Sequence, residues 1–256
     1  IELLGAVLIR KRMITREQAI AVDRAMQGTS QLSGFEILEK VGQGGMGAVF
    51  RARQISMDRI VALKILPRKL AQDPKAKERF FREARLCASM NHLNLINGID
   101  CGEAGGYTFF AMEFVEGETA RKVLKTKGRL ETKEVVGIIR QIATALDYAH
   151  SKKLVHRDVK PENIMITPEG VAKLCDLGLS RSFAASSEED PSLTQAGQAV
   201  GTPYYISPEQ ARGEDVDGGT DIYSLGATFY HLLAGKPPFE GASAAVIMAK
   251  HLTDTA

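Results

Sequence analysis

Apolar positions recur at helical spacing over the first thirty residues, then alternate, then return to helical spacing, and these changes of period divide the chain. Leu4, Val7 and Leu8 share a helical face ahead of Arg10-Lys11-Arg12, whose charges suit a helix C-terminus. A second helix is expected from Thr15 and Gln18 at capping-box spacing, with Ala19, Val22 and Met26 on one face and Gly28 as its stop. Residues 1–28 therefore read as a helical hairpin, either a docking or dimerising element or an extension packed on the body. Residues 29–34 are small and polar and read as a linker. Phe35 to Val41, Val49 to Arg53 and Ile60 to Lys64 read as strands. Asp73 as N-cap and Pro74 in the first turn then open a helix with Phe80, Ala84 and Cys87 on one face. Glu103-Ala104-Gly105-Gly106 supplies a hairpin turn before a strand from Tyr107 to Phe114. Thr132 is expected to cap a long helix carrying Val135, Ile139, Ile142 and Leu146, and two short strands, Ile164 to Ile166 and Val171 to Cys175, flank Pro168-Glu169-Gly170. From Leu179 to Val200 the chain is small, polar and acidic, without a period. Asp221 begins an apolar helix, and a last helical stretch runs from Ser243 to Leu252. Strands crowd the first half and helices the second, an α+β arrangement.

With 256 residues and 44% hydrophobic content, the chain can fill one large core or about two ordinary ones. A net charge of +2 is too balanced for a nucleic-acid or anionic-membrane surface, which turns attention to small-molecule and protein partners. Cys87, Cys101 and Cys175 are odd in number and form no CxxC, so neither a disulfide framework nor a zinc site is indicated, and a reducing cytoplasmic setting is expected. The apolar run from Ile1 to Ile9 is too short to span a bilayer. Because the sequence opens on Ile, the chain is expected to be the cytoplasmic part of a longer protein.

The chemistry concentrates in His156-Arg157-Asp158-Val159-Lys160-Pro161-Glu162-Asn163, followed by Asp176-Leu177-Gly178. A transferred phosphoryl group needs little covalent help, so a catalyst positions the acceptor and neutralises charge. In that light Asp158 would orient an acceptor hydroxyl and take its proton, Lys160 would meet the γ-phosphate, and Asn163 with Asp176 would hold Mg2+ through hard oxygen ligands. Gly42-Gln43-Gly44-Gly45-Met46-Gly47-Ala48-Val49 gives a G-x-G-x-x-G-x-V pattern, whose bare backbone can close over phosphates. A strand follows these glycines instead of a helix, which disfavours dinucleotide binding. Lys64 lies in an apolar run and needs a carboxylate, for which Glu83 is the candidate.

HRDVKPEN, DLG and the later GTPYYISPE resemble the catalytic loop, metal loop and activation-segment end of the protein kinase family, especially the eukaryotic-like Ser/Thr kinases of bacteria. The resemblance runs from Phe35 to the C-terminus and implies a two-lobed fold, with an N-lobe at about 35–115 and a C-lobe at about 116–256. By resemblance Gly42, Gly44 and Gly47 cover the ATP phosphates and Lys64, held by Glu83, meets the α- and β-phosphates. It also implies that Met112 stands at the gatekeeper position, that Glu113 and Val115 offer hinge groups to adenine, and that Val49, Ala62 and Met165 line the slot. Thr202 shapes the substrate groove and, with Lys160, points to Ser/Thr acceptors, while Asp221 anchors the catalytic-loop backbone unless it is merely a helix N-cap. The reaction implied is ATP-dependent phosphorylation of protein Ser/Thr hydroxyls with Mg2+, or Mn2+ in its place, including autophosphorylation. A nucleotide-binding pseudokinase or scaffold is the alternative.

Three features depart from the family pattern. Leu177 stands where Phe is usual, and Cys87 and Gly98 fall in the stacked hydrophobic column, which is therefore expected to be thin. Helices that usually follow residue 252, one bringing an arginine to the carboxylate matched by Glu209, are not present, so the C-lobe reads as incomplete. Arg157 places a permanent cation beside Asp158, and Thr194 is the expected phosphorylation site that would pair with it, since Thr194-Gln195-Ala196 keeps only the first hydroxyl of the T-x-T seen in bacterial relatives.

Overall fold

The computed structural model describes residues 31–32, 34–44, 47–176 and 203–255. The expected hairpin 1–28, the glycine-loop tip at Gly45 and Met46, the segment holding Leu177 and Thr194, and Thr202 lie outside the described residues.

A six-stranded antiparallel sheet fills the first part, in the order β1-β2-β3-β4-β6-β5. Its strands are β1 (Gln31–Leu32), β2 (Phe35–Gly44), β3 (Gly47–Gln54), β4 (Arg59–Ile65), β5 (Gly98–Ala104) and β6 (Tyr107–Glu113). Gln31 and Leu32, assigned to the linker by composition, pair instead with Glu36 and Phe35, and Leu32 is buried. Side-chain alternation serves two faces at once. Val61, Leu63, Phe109 and Ala111 join Leu32, Phe35 and Ala52 in a small outer core, where Phe35 meets Phe109 edge-on at 5.3 Å. The intervening Ala62, Phe110 and Met112 face the main core.

Helix α1 (Arg68–Ala71) leads to α2 (Pro74–Ser89), which lies on that second face. Asp73 caps α2 by accepting from the Lys75 amide at 3.0 Å, and Pro74 starts it. Phe80, Ala84 and Cys87 are buried along one stripe, Phe80 edge-on to Phe110. The expected gap at Gly98 is absent. A Cβ there would stand 2.7 Å from the Ala88 nitrogen and 2.9 Å from its Cα, so helix backbone already occupies the space. The column is compact at this point because α2 and β5 approach each other through glycine.

The second part is built on α4 (Thr132–Ser151) and α6 (Gly218–Ala234), with α3 (Ala120–Lys127), α5 (Pro208–Arg212) and α7 (Ala244–Thr253) around them. Val135, Ile138, Ile142, Ala145, Leu146 and Ala149 give α4 its buried stripe. Thr132 does not cap this helix: it is the first helical residue, Glu131 holds the cap position, and no side chain closes that end. Strands β7 (Glu118–Thr119), β8 (Ile164–Ile166) and β9 (Ala172–Leu174) form a small sheet. The loop after α2 extends it, with Leu95 pairing in parallel with Leu174. Asn94, almost fully buried, fixes this joint by donating to the Ala172 carbonyl at 2.8 Å and to Gln141 of α4 at 3.0 Å.

Since a Cβ at Gly98 would strike main chain that cannot rotate away, Gly98→Ala should destabilise the protein by about 1–3 kcal/mol. Urea unfolding followed by circular dichroism checks this. A midpoint equal to the parent's would mean that α2 can move aside freely.

Candidate active site

The loop between α4 and the 3-10 turn Pro161–Asn163 is shaped by one carboxylate. Asp221, in the first turn of α6, has no exposed surface and accepts from the amides of His156 at 2.8 Å and Arg157 at 2.7 Å. His150 contributes its Nε2 at 2.8 Å to the same carboxylate. The N-cap of α6 is Asp217, so the alternative reading of Asp221 as a cap is replaced by this anchoring role. With both amides held, Arg157 adopts φ 67°, a left-handed conformation that a non-glycine side chain takes only under constraint.

His156, fully buried, links this loop to the strand carrying Asp176. Its Nδ1 accepts from the Asp158 amide at 3.2 Å, which leaves the proton on Nε2 to be donated to the Cys175 carbonyl at 2.9 Å. Lys160 reaches back to Asp158 Oδ2 at 2.7 Å. Asn163 donates to the Asp158 carbonyl at 2.8 Å and to its Oδ2 at 2.9 Å. With its nitrogen committed there, the Asn163 amide offers its oxygen to a cation.

Lys64 on β4 is nearly buried, and the carboxylate that meets it is Asp176, at 2.7 Å. Asp176 has φ 56°, a second left-handed non-glycine residue in the site. Glu83, the partner named from sequence, lies on α2, but its side chain is outside the described residues. The structure thus brings Lys64, Asp158, Lys160, Asn163 and Asp176 to one locus. Above it, Gly47 has φ 123°, and a Cβ there would stand 2.0 Å from the Ile65 carbonyl, so only glycine lets β3 turn in this close to β4. Gly42 pairs with Val49, and Val49 with Lys64, which sets the glycine strands directly over the lysine; Gly44 pairs with Gly47. Ala62 pairs with Met112, and both Met112 and Val115 are buried at the junction of the two parts; Met165, on β8, is half-buried.

Sequence reasoning missed several groups. Lys173 on β9, between buried Ala172 and Leu174, pairs with Glu113 at 2.9 Å and so ties the small sheet to the expected hinge. Strict alternation in a three-residue strand was the only available sign of it. Glu209, for which no arginine partner was expected in this sequence, receives a hydrogen bond from Thr220. Burial, reinforced by the charge of Asp176, pushes the buried Cys87 thiol up to about 12 and raises that of the partly buried Cys175, which disfavours the reactive thiolate at both. Among the described residues no cluster of three or more His, Cys, Asp or Glu forms a metal site. The cation pair expected from the sequence is of another kind, the amide of Asn163 and the carboxylate of Asp176.

Two-layered lobes, glycine strands over a buried lysine, and an Asp-Lys-Asn loop facing a second aspartate define a protein kinase domain. A family model described as the protein kinase domain matches residues 35–256, and the chain belongs to that family. Serine/threonine-protein kinase pkn3 of Myxococcus xanthus is 43% identical over 219 residues, covering 84% of this chain and 40% of the relative. PknB of Mycobacterium tuberculosis is 40% identical over 224 residues, covering 86% of this chain and 35% of the relative. The crystal structure of the Mycobacterium tuberculosis PknI kinase domain has a TM-score of 0.65 at 31% identity, over 83% of this chain and 78% of that one. Within the family the chain is of the eukaryotic-like bacterial Ser/Thr kind, and it spans well under half the length of these two curated relatives. Among the described residues no helix is long and apolar enough to cross a membrane.

Asp221→Ala would leave the buried His156 amide and the part-buried Arg157 amide without an acceptor and release Arg157 from its held conformation. The variant should lose roughly 3–5 kcal/mol of unfolding free energy, as removal of a buried hydrogen-bonded charge does. Calorimetry checks it, and an unchanged melting temperature would show that water takes over the carboxylate's role.

Proposed function

We propose that this domain transfers the γ-phosphoryl group of ATP to Ser or Thr hydroxyls of proteins, its own activation segment included. The observation that carries the reading is the convergence on Asp158. Lys160 and Asn163 both bond its Oδ2, which holds the carboxylate in one orientation at the mouth of the site. Asp158 would receive the acceptor's proton, and Lys160, already beside it, would meet the charge on the transferred group. Lys64 would bind the α- and β-phosphates beneath the glycine strands. Asn163 and Asp176 fit a divalent cation through hard oxygens, Mg2+ by preference, which would neutralise charge on the phosphates. The hinge assignments of Met112, Glu113 and Val115 and the groove role of Thr202 are proposed with it, as is operation on the cytoplasmic side of a longer protein.

Asp158→Asn should lower phosphate incorporation from labelled ATP about 10²–10⁴-fold while leaving nucleotide affinity near the parent's. Equal incorporation by both proteins would remove Asp158 from catalysis. Nucleotide binding by a parent that transfers no phosphate would make the domain a scaffold.

Activation is proposed to run through Thr194. Arg157 is exposed on the loop, and among the described residues no carboxylate forms an ion pair with its guanidinium, which suits it to receive a phosphate. Thr194→Ala should reduce activity toward an added protein substrate with little change in ATP affinity. Undiminished phosphorylation of that substrate would exclude this residue as the switch.

A further inference from the structure

A chain of four side chains runs under the segment 203–207 and ends on the catalytic loop. The Tyr205 hydroxyl lies 2.7 Å from His231 Nδ1, with the two rings stacked at 5.9 Å. Arg121 Nη1 lies 3.4 Å from His231 Nε2, and Arg121 Nε lies 3.5 Å from the Glu162 carboxylate. A guanidinium can only donate, so Nε2 is the acceptor and the imidazole proton sits on Nδ1, directed at the tyrosine oxygen. Burial, with a smaller contribution from Arg121, lowers His231 to about 4, so the ring is neutral at any ordinary assay pH. Burial also holds Tyr205 as an intact hydroxyl, its pKa raised. The Tyr205 carbonyl is fixed separately, by Ser224 at 2.7 Å.

The same segment has a second tie to the loop. Gln210, whose side chain also closes the capping box of α5, donates to the Arg157 carbonyl at 3.1 Å. Arg157 and Glu162 flank Asp158 in sequence, so the two ties straddle the proposed base. Arg121 and Glu162 are half exposed while Tyr205 and His231 are buried, so the chain runs from the solvent edge of the loop into the core. An exposed pair 3.5 Å apart adds little to stability. What it can add is orientation, because the ring it touches has one donor and one acceptor at fixed positions and passes the constraint to Tyr205.

We propose that His231 and Arg121 are positioning residues for the protein acceptor: through Tyr205 and Glu162 they hold the segment 203–207 in register with Asp158, so that an acceptor lying on the segment presents its hydroxyl to the base. The proposal deepens the phosphotransfer reading and rests on it. It places the effect on acceptor binding, with the nucleotide side, built on β3, β4 and β9, left alone.

The test measures initial rates with myelin basic protein as acceptor, varying acceptor and ATP separately. Arg121→Ala, Tyr205→Phe and His231→Leu should each raise the acceptor KM about tenfold, the scale of one lost hydrogen bond, with the ATP KM within twofold of the parent's. His231→Gln should restore most of it, since its amide can accept from Arg121 and donate to Tyr205, whereas leucine fills the space but does neither. Arg121→Ala changes a half-exposed side chain and keeps the test open if His231→Leu fails to fold. Acceptor KM values within twofold of the parent for Arg121→Ala and Tyr205→Phe would overturn the proposal, as would a His231→Gln enzyme no better than His231→Leu. If the parent itself transfers no phosphate, the functional reading fails separately. Hydrogen exchange over 203–210 then decides the chain of contacts, and equal protection in parent and Arg121→Ala would overturn it.

Discussion

A carboxylate with no exposed surface is tolerable only when its oxygens are fully used, and Asp221 uses both on the backbone of the loop that carries the chemistry. The direction of dependence is clear from the geometry. Without the two amide bonds, Arg157 has no reason to remain at φ 67°, and the turn that aims Asp158 outward and Asn163 back toward it would relax. Asp221 in turn stays in place because α6 is rigid, capped by Asp217 and packed along α4. Stability of the helical part and precision of the site are thus one property, expressed through a single buried charge.

From that anchor the order propagates through β9. This strand pairs with β8 on one side and with the loop after α2 on the other, so a three-residue strand is bonded along both edges. It delivers Cys175, whose carbonyl accepts the hydrogen bond of His156, and then Asp176, which meets Lys64 from the far sheet. Lys173 on the same strand holds Glu113. Both lobes therefore take their reference from β9. The buried Asn94 and half-buried Gln141 amides that fix its start have their hydrogen bonds made, the condition under which a polar core specifies one arrangement.

Much of this was legible in the sequence, and the exceptions share a cause. Period together with cap and turn residues located β2, β3, β4, β6, α2, α4 and the two short strands, while β5 was implied only by the turn at 103–106. The loop residues Asp158, Lys160, Asn163 and Asp176 could be named because their chemistry is local to two short stretches. What could not be read were contacts between distant segments whose residue types are unremarkable singly: Thr220 on Glu209, Lys173 on Glu113, and the Tyr205 to Glu162 chain. Gly98 shows the same limit in reverse. As a letter it suggested a missing side chain, whereas in space it marks where helix backbone has moved in. The strand Gln31–Leu32 was lost to composition, since two residues are too few to show alternation.

The arrangement of charge around Asp158 and Asp176 bears on how the site can act without rebuilding itself. Two cations and two carboxylates alternate there, Lys64 with Asp176 and Lys160 with Asp158, each pair at 2.7 Å. In the proposed reaction a phosphate would attract both lysines, and a divalent cation held by Asn163 and Asp176 would stand beside Asp176 in place of Lys64, so that carboxylate would exchange one opposite charge for another. Such an exchange avoids the desolvation cost that an unpaired charge would carry in a part-buried site. It also requires that the polar scaffold stay where it is while partners change. Asn163 holds the Asp158 carbonyl as well as its carboxylate, and His156 holds the main chain on both sides of the gap, so the backbone does not depend on either lysine. In the proposed reaction the two lysines would change partners, while the groups that set the geometry are bound through backbone.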